Sequence, residues 1–162
     1  MKIPRRYLPK SLSKRDTTLQ RKSLKKSRSA YKKGKYISRP KLKSFKSKKS
    51  HHLINAEKIY NLKKISLSSE LAKKTKCKLA SLKKIMKKGK GAYYSSGSRP
   101  NQTAHSWGYA RLASAITGGK ASAVDINILR SGCKKDSKAL KLASRNYSKY
   151  SGGRRRTKSV KL

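Results

Sequence analysis

Apolar positions are sparse over the first fifty residues. Leu12, Leu19, Leu24, Ile37, Leu42 and Phe45 stand singly among Lys and Ser, and Pro4, Pro9 and Pro40 interrupt any long helix. Leu19 and Leu24 leave room for one short helix over Arg15–Ala30, yet the segment as a whole reads as extended and disordered until bound. The pattern turns helical from Ala56 onward. Ile59, Leu62 and Ile65 are spaced by three, and Leu79, Leu82, Ile85 and Met86 repeat an i, i+3, i+6, i+7 face, which predicts helices over 56–65 and 69–88. Ser68 or Ser69 suits the cap of the second, Glu70 its first turn and Lys87-Lys88 its last, with Gly89 as the terminating residue. Glycines 89, 91 and 97 with serines 95, 96 and 98 then predict a loop over 89–100. Thr103 is placed to cap a helix whose inner face is Tyr109, Leu112, Ala113 and Ile116, and Gly118-Gly119 ends it. Ser122 opens a further short helix with Asp125 in its first turn and Val124, Ile128 and Leu129 inward; the alternation Val124, Ile126, Ile128 suits a strand equally.

These elements predict a mainly α protein: a small helical module with long extended, basic N- and C-terminal arms. The boundaries fall at 1–55 for the first arm, 56–133 for the module and 134–162 for the basic C-terminal tail. Leu82, Ile85, Trp107, Tyr109, Leu112 and Ile116 form its expected core.

Composition sharpens this picture. Leu, Ile, Val and Phe total 28 of 162 residues, while 47 Lys+Arg face 5 Asp+Glu, a net charge of +42. So few large apolar residues under so high a charge is the signature of a chain that struggles to fold alone. Self-repulsion argues against one globular enzyme over the whole length, and an excess of this sign and size calls for a polyanionic partner. The charge is uneven. Residues 1–50 hold 20 Lys/Arg and residues 91–133 only four, so the compact part is expected in the nearly neutral stretch.

The candidate polyanion-binding residues are Arg5, Arg6, Arg21, Lys22, Lys25, Lys26, Arg28, Lys48, Lys49, Lys87, Lys88, Arg99, Arg154, Arg155 and Arg156. Tyr7, Tyr31 and Tyr36 lie among cations, where they suit either base stacking or packing against a partner. The Gly/Ser loop followed by Arg99 and a helix start resembles a phosphate-binding arrangement, but it lacks the G-x-x-x-x-G-K-[ST] run, and the glycines serve equally to fold the loop over Trp107. His105, Ser106, Asp125 and Cys133 supply letters of hydrolytic sites without their spacing, and five acids are too few for two-metal nuclease chemistry. No catalytic residue, metal, cofactor or small-molecule substrate is expected. Cys77 and Cys133 form no C-x-x-C pair and no zinc spacing; free thiols are expected, and a pairing between them stays open. No apolar run approaches transmembrane length, and no signal-peptide core follows Met1–Lys10.

The stretch AYYSSGSRPNQTAHSWGYARLASAITGGKASAVD, with RRYLPKSLSKRD at 5–16 and ELAKKTKCKLASLKKIMKKGKGAYYSSGSRPNQT at 70–103, resembles an uncharacterised basic domain family encoded by nucleocytoplasmic large DNA viruses of algae and protists. The resemblance implies a viral origin and assigns no site. With the charge, it leads to the expectation of a non-enzymatic virion structural protein, a minor capsid, inner-layer or core component. It would reside in the capsid interior, and in the host nucleus or cytoplasm during assembly. Capsid proteins of the same virus, duplex DNA bound without regard to sequence, and an internal membrane surface are its expected partners. A soluble DNA-condensing protein is the first alternative and a nucleic-acid enzyme the remote one.

Overall fold

The computed structural model describes residues 1–153 and 157–162. Strand β1 (Lys2–Pro4) leads through a 3-10 turn (Arg5–Tyr7) into helix α1 (Lys14–Lys32). Then follow α2 (His51–Tyr60), α3 (Ser69–Thr75), α4 (Leu79–Ser95), α5 (Ala104–Ile116), α6 (Lys120–Val124), α7 (Ile126–Gly132) and α8 (Lys138–Asn146). A second 3-10 segment (Ser148–Gly153) and strand β2 (Ser159–Lys161) complete the described residues. The protein is mainly α, as the periodicity predicts. Its contacts divide it into two compact units, both discontinuous in sequence. One holds Met1–Lys48, Lys90–Trp107 and the C-terminal strand; the other holds Lys49–Gly89 and the chain from Gly108 through α8.

The first unit replaces the expected extended arm. β1 pairs antiparallel with β2, Ile3 opposite Val160. Ile3, Tyr7, Leu8 and Leu24 are buried together, with Trp107, Val160 and Leu162 packed against them. α1 is 19 residues long, and Asp16, Gln20, Leu24 and Ser27 form its buried face. Ser13 caps it by accepting from the Asp16 N–H. Gly97, at φ +93°, lets the chain pass so close to Leu24 that a Cβ would sit 2.7 Å from Cδ2. This core draws one to three apolar residues from each of several distant segments, so no single window shows a periodic face. The expected boundaries at 55 and 133 are therefore not the divisions the structure shows. The C-terminal stretch is likewise not a bare tail, since α8 buries Ala139 and Ala143 and β2 joins the sheet. Arg154, Arg155 and Arg156 lie outside the described residues.

The second unit carries the larger core: Ala56, Tyr60, Ile65, Leu71, Leu82, Ile85, Leu112, Ala113, Ala115, Ile116, Ile126, Leu129, Ala139 and Ala143. Of the expected core residues, Leu82, Ile85, Leu112 and Ile116 are buried here and Tyr109 packs against them, whereas Trp107 belongs to the other unit's cluster. The Tyr60 hydroxyl donates to the Ile116 carbonyl at 2.6 Å. Ser68 caps α3 as expected, with Glu70 in its first turn. That helix stops at Thr75, because Lys76 turns left-handed at φ 54°. Cys77 then makes an isolated antiparallel bridge with Cys133. Their sulfurs are joined in a disulfide, so the expected free thiols are absent.

α4 runs on to Ser95, through most of the expected 89–100 loop. Gly89 does not terminate the helix: a Cβ there would lie 2.7 Å from the Gly108 Cα, so the residue permits close approach of α5. Thr103 accepts from the Ser106 N–H at the start of α5, and Gly118, at φ +71°, follows its end. The single expected helix around Asp125 is two, α6 and α7. Ser122 lies within the first, its hydroxyl bonded back to the Gly119 carbonyl, and Val124 is exposed.

Candidate functional site

The clearest candidate is the outward face of α1. Its buried positions 16, 20, 24 and 27 occupy one arc, and the doublets Lys14-Arg15, Arg21-Lys22, Lys25-Lys26 and Lys32-Lys33 begin at offsets 0, 7, 11 and 18 from Lys14, on the opposite arc. All eight are exposed. The stripe extends ~27 Å at ~1.5 Å per residue. Asp16, the lone acid in this helix, faces away from it: its Oδ2 accepts from the Ser44 N–H at 2.8 Å and the Ser44 hydroxyl at 2.6 Å. Lys14, Arg15, Lys32 and Lys33 were not among the sequence candidates; the 7-4-7 spacing of cationic doublets is the signal that finds them.

The sequence candidates fall in both units. Arg5, Arg6, Arg21, Lys22, Lys25, Lys26, Arg28, Lys48 and Arg99 belong to the first, and Lys49, Lys87 and Lys88 to the second. Most are exposed, but three make bonds within the chain. Arg28 donates to the Ser96 carbonyl, Lys49 pairs with Glu57 at 2.6 Å, and Lys88 reaches the buried Asp125 at 2.6 Å. Arg111 grips the same carboxylate bidentately at 2.8 and 2.9 Å. Asp136 is paired with Lys76, whose hydrogen bond holds that carboxyl below the usual range. Four of the five acids in the chain are thus engaged internally. Five acids could match only a small part of 47 cations in any arrangement.

Of the serines at 95, 96 and 98, Ser98 turns inward. Arg39 donates to Ser98 Oγ at 2.5 Å, to Ser27 Oγ at 3.3 Å and to the Tyr93 carbonyl at 2.9 Å, with its guanidinium 3.7 Å from the Tyr93 ring centroid. Burial lowers its proton affinity. Ser98 is fully buried and donates to the Arg99 carbonyl, so its hydroxyl is committed to the turn. Asn101 similarly ties the 42–45 segment through Leu42 and Phe45.

The residues with hydrolytic letters have other employment. Asp125 is held by Arg111 and Lys88, Cys133 by Cys77, and Ser106 Oγ bonds Gln102 Oε1 and the Thr103 carbonyl. Among the described residues no cluster of three or more His, Cys, Asp or Glu is arranged to hold a metal, and no helix is long and apolar enough to cross a membrane. The tyrosines divide: Tyr7 is buried edge-on to Trp107, while Tyr31 is half-buried and Tyr36 is exposed.

A family model described as "Family of unknown function (DUF5824)" matches residues 4–138. No curated protein and no solved structure matches the chain.

Proposed function

From a chain that belongs to the DUF5824 family of unknown function, we propose a non-enzymatic structural protein that binds polyanions through exposed cationic helix faces. The observation that carries this reading is the α1 stripe: seven exposed cations on one side of a helix, with Lys33 at its C-cap as the eighth, while the helix's single acid is turned into the fold. Duplex DNA fits such a face. It carries one charge per ~1.7 Å, so ~27 Å of duplex presents on the order of 16 phosphate charges. Lys predominates, and Lys acts as a point charge rather than a planar fork, which favours backbone contact over base reading. The commitment of Asp125, Cys133 and Ser106 to internal bonds supports a non-catalytic role. We propose a DNA-virus particle as its setting, as a minor capsid, inner-layer or core component in the capsid interior; the resemblance of its sequence to a family encoded by large DNA viruses supports that reading. There the packaged genome, acidic faces of capsid proteins and an internal membrane surface are the available polyanions. A freely soluble DNA-condensing protein would use the same face.

The test is the salt dependence of duplex binding by the full chain. Affinity should not vary with sequence, and it should fall steeply with salt, by about −0.9 in log–log slope per phosphate neutralised. Changing Lys22, Lys25 and Lys26 together to Ala should reduce the slope by up to ~2.7. These side chains are exposed, so the fold should survive the change. Salt-insensitive binding, or an unchanged slope in the triple variant, would refute the α1 face as the contact.

A further inference from the structure

The end of α1 presents a second, chemically different surface. Lys35 N–H bonds the Ala30 carbonyl and Gly34 N–H the Tyr31 carbonyl, with Gly34 at φ +70°, which is the Schellman closure of a helix. The next residue, Tyr36, is thereby fixed against two other rings. Its centroid lies 5.8 Å from Tyr31 and 5.1 Å from Tyr94, near-perpendicular to both, while Tyr31 and Tyr94 are parallel within 4° at 6.4 Å. Tyr94 in turn meets Tyr93 edge-on, and Tyr93 is the ring under Arg39.

This assembly is buried at its base and open at its tip. Tyr93 is 1% exposed, but Tyr36 is 68% exposed. In a chain so poor in apolar residues, an aromatic ring held in place yet left in solvent is a surface in need of a planar partner. Lys32, Lys33 and Lys35, its neighbours along the chain, are all exposed. Stacking rings bordered by cations are what unpaired bases require, since the π-face takes the base and the ammonium groups follow the phosphates. Duplex DNA keeps its bases stacked inside and offers this platform nothing beyond phosphate.

We infer that the Tyr31–Tyr36–Tyr94 platform binds single-stranded nucleic acid by stacking an unpaired base on Tyr36, adding a base-dependent term to the phosphate contacts. This inference rests on the polyanion-binding reading above and names a further ligand form for it. The full chain would be titrated with an oligo-dT strand, a duplex of matched phosphate number and inorganic polyphosphate, at one salt concentration. Tyr36→Ala should weaken oligo-dT binding about tenfold or more. It should leave duplex and polyphosphate affinities unchanged, and it should keep the oligo-dT salt slope, because stacking neutralises no phosphate. Tyr36→Phe should retain wild-type affinity. Trp107 emission and the helical circular dichroism report whether the variants remain folded. An unaltered oligo-dT affinity in Tyr36→Ala, or an equal loss on all three probes, overturns the stacking site while polyanion binding stands. No binding to any probe at low salt overturns both.

Discussion

Asp16 shows how much a single carboxylate does in a chain that has five. It accepts two hydrogen bonds from Ser44, and Ser44 Oγ accepts in turn from the Ser13 N–H, so helix cap, helix start and the 44 segment form one closed set. The Ser44 hydroxyl and N–H, aided by Arg15 and Lys43, hold the Asp16 carboxyl below its usual range. A carboxyl depressed on folding contributes stability above its unfolded pKa of ~3.9, and that contribution is lost as pH falls through the lower folded value. Asp16→Asn should therefore lower the urea midpoint at pH 7, and the gap to wild type should narrow once pH drops below the carboxylate range. A constant gap from pH 7 to pH 2.5 would exclude this linkage. At this scale the sequence was partly legible. Ser68 and Thr103 were readable as caps because a cap depends on neighbours three residues away. Gly89 was not, since terminating glycines and close-approach glycines look alike until the opposing Gly108 backbone is known. Asp125 looked like a first-turn acid and proves to be a buried anion held by two cations 37 and 14 residues away.

Among the elements, the interruption between α3 and α4 matters most. Periodicity and a cap at Ser68 or Ser69 carry a helix straight through 69–88, because Leu79, Leu82, Ile85 and Met86 suit one face. What breaks it is long-range. Lys78 N–H bonds the Gly132 carbonyl, Lys134 N–H bonds the Lys76 carbonyl, and the Cys77–Cys133 disulfide closes the pair across 56 positions. Thr75 and Ser137 line the same spot, the Ser137 hydroxyl donating to the Thr75 carbonyl at 2.6 Å. A crosslink of this span stabilises chiefly by restricting the unfolded chain, typically by ~2–4 kcal/mol. Cys77→Ala with Cys133→Ala should lower unfolding free energy by about that much in urea titration. Dithiothreitol should reproduce the loss in wild type and do nothing further to the double variant. Equal stability of oxidised and reduced wild type would show that the two short segments hold without the bond. α1 answers to the short helix that the sequence allows over Arg15–Ala30, and α3 at its start, α4 from Leu79 and α5 along its length answer to the other predicted helices, because there the caps or the apolar spacing agree locally.

At the scale of the whole molecule, the net charge of +42 works against folding, and only screening or a bound polyanion relieves it. Raising salt from about 0.05 to 0.5 M shortens the Debye length from roughly 14 Å to roughly 4 Å. The thermal midpoint should rise over that range, the opposite of a fold held by surface ion pairs; a falling midpoint would contradict the argument. The charge was fully legible in the sequence and the two-unit organisation was not. Each unit draws on separated stretches, and a window moving along the chain sees only one stretch at a time. The pairing of Ile3 with Val160 carries a consequence in time. As the chain leaves the ribosome, β1 emerges early and must wait for β2, which follows every helix of both units. Until then Ile3 lacks its cross-strand neighbour while the α1 cations are already outside the exit tunnel, next to ribosomal RNA. Nascent chains should thus associate with their own translation machinery before the first unit closes, and completion of the sheet is the step that finishes its core.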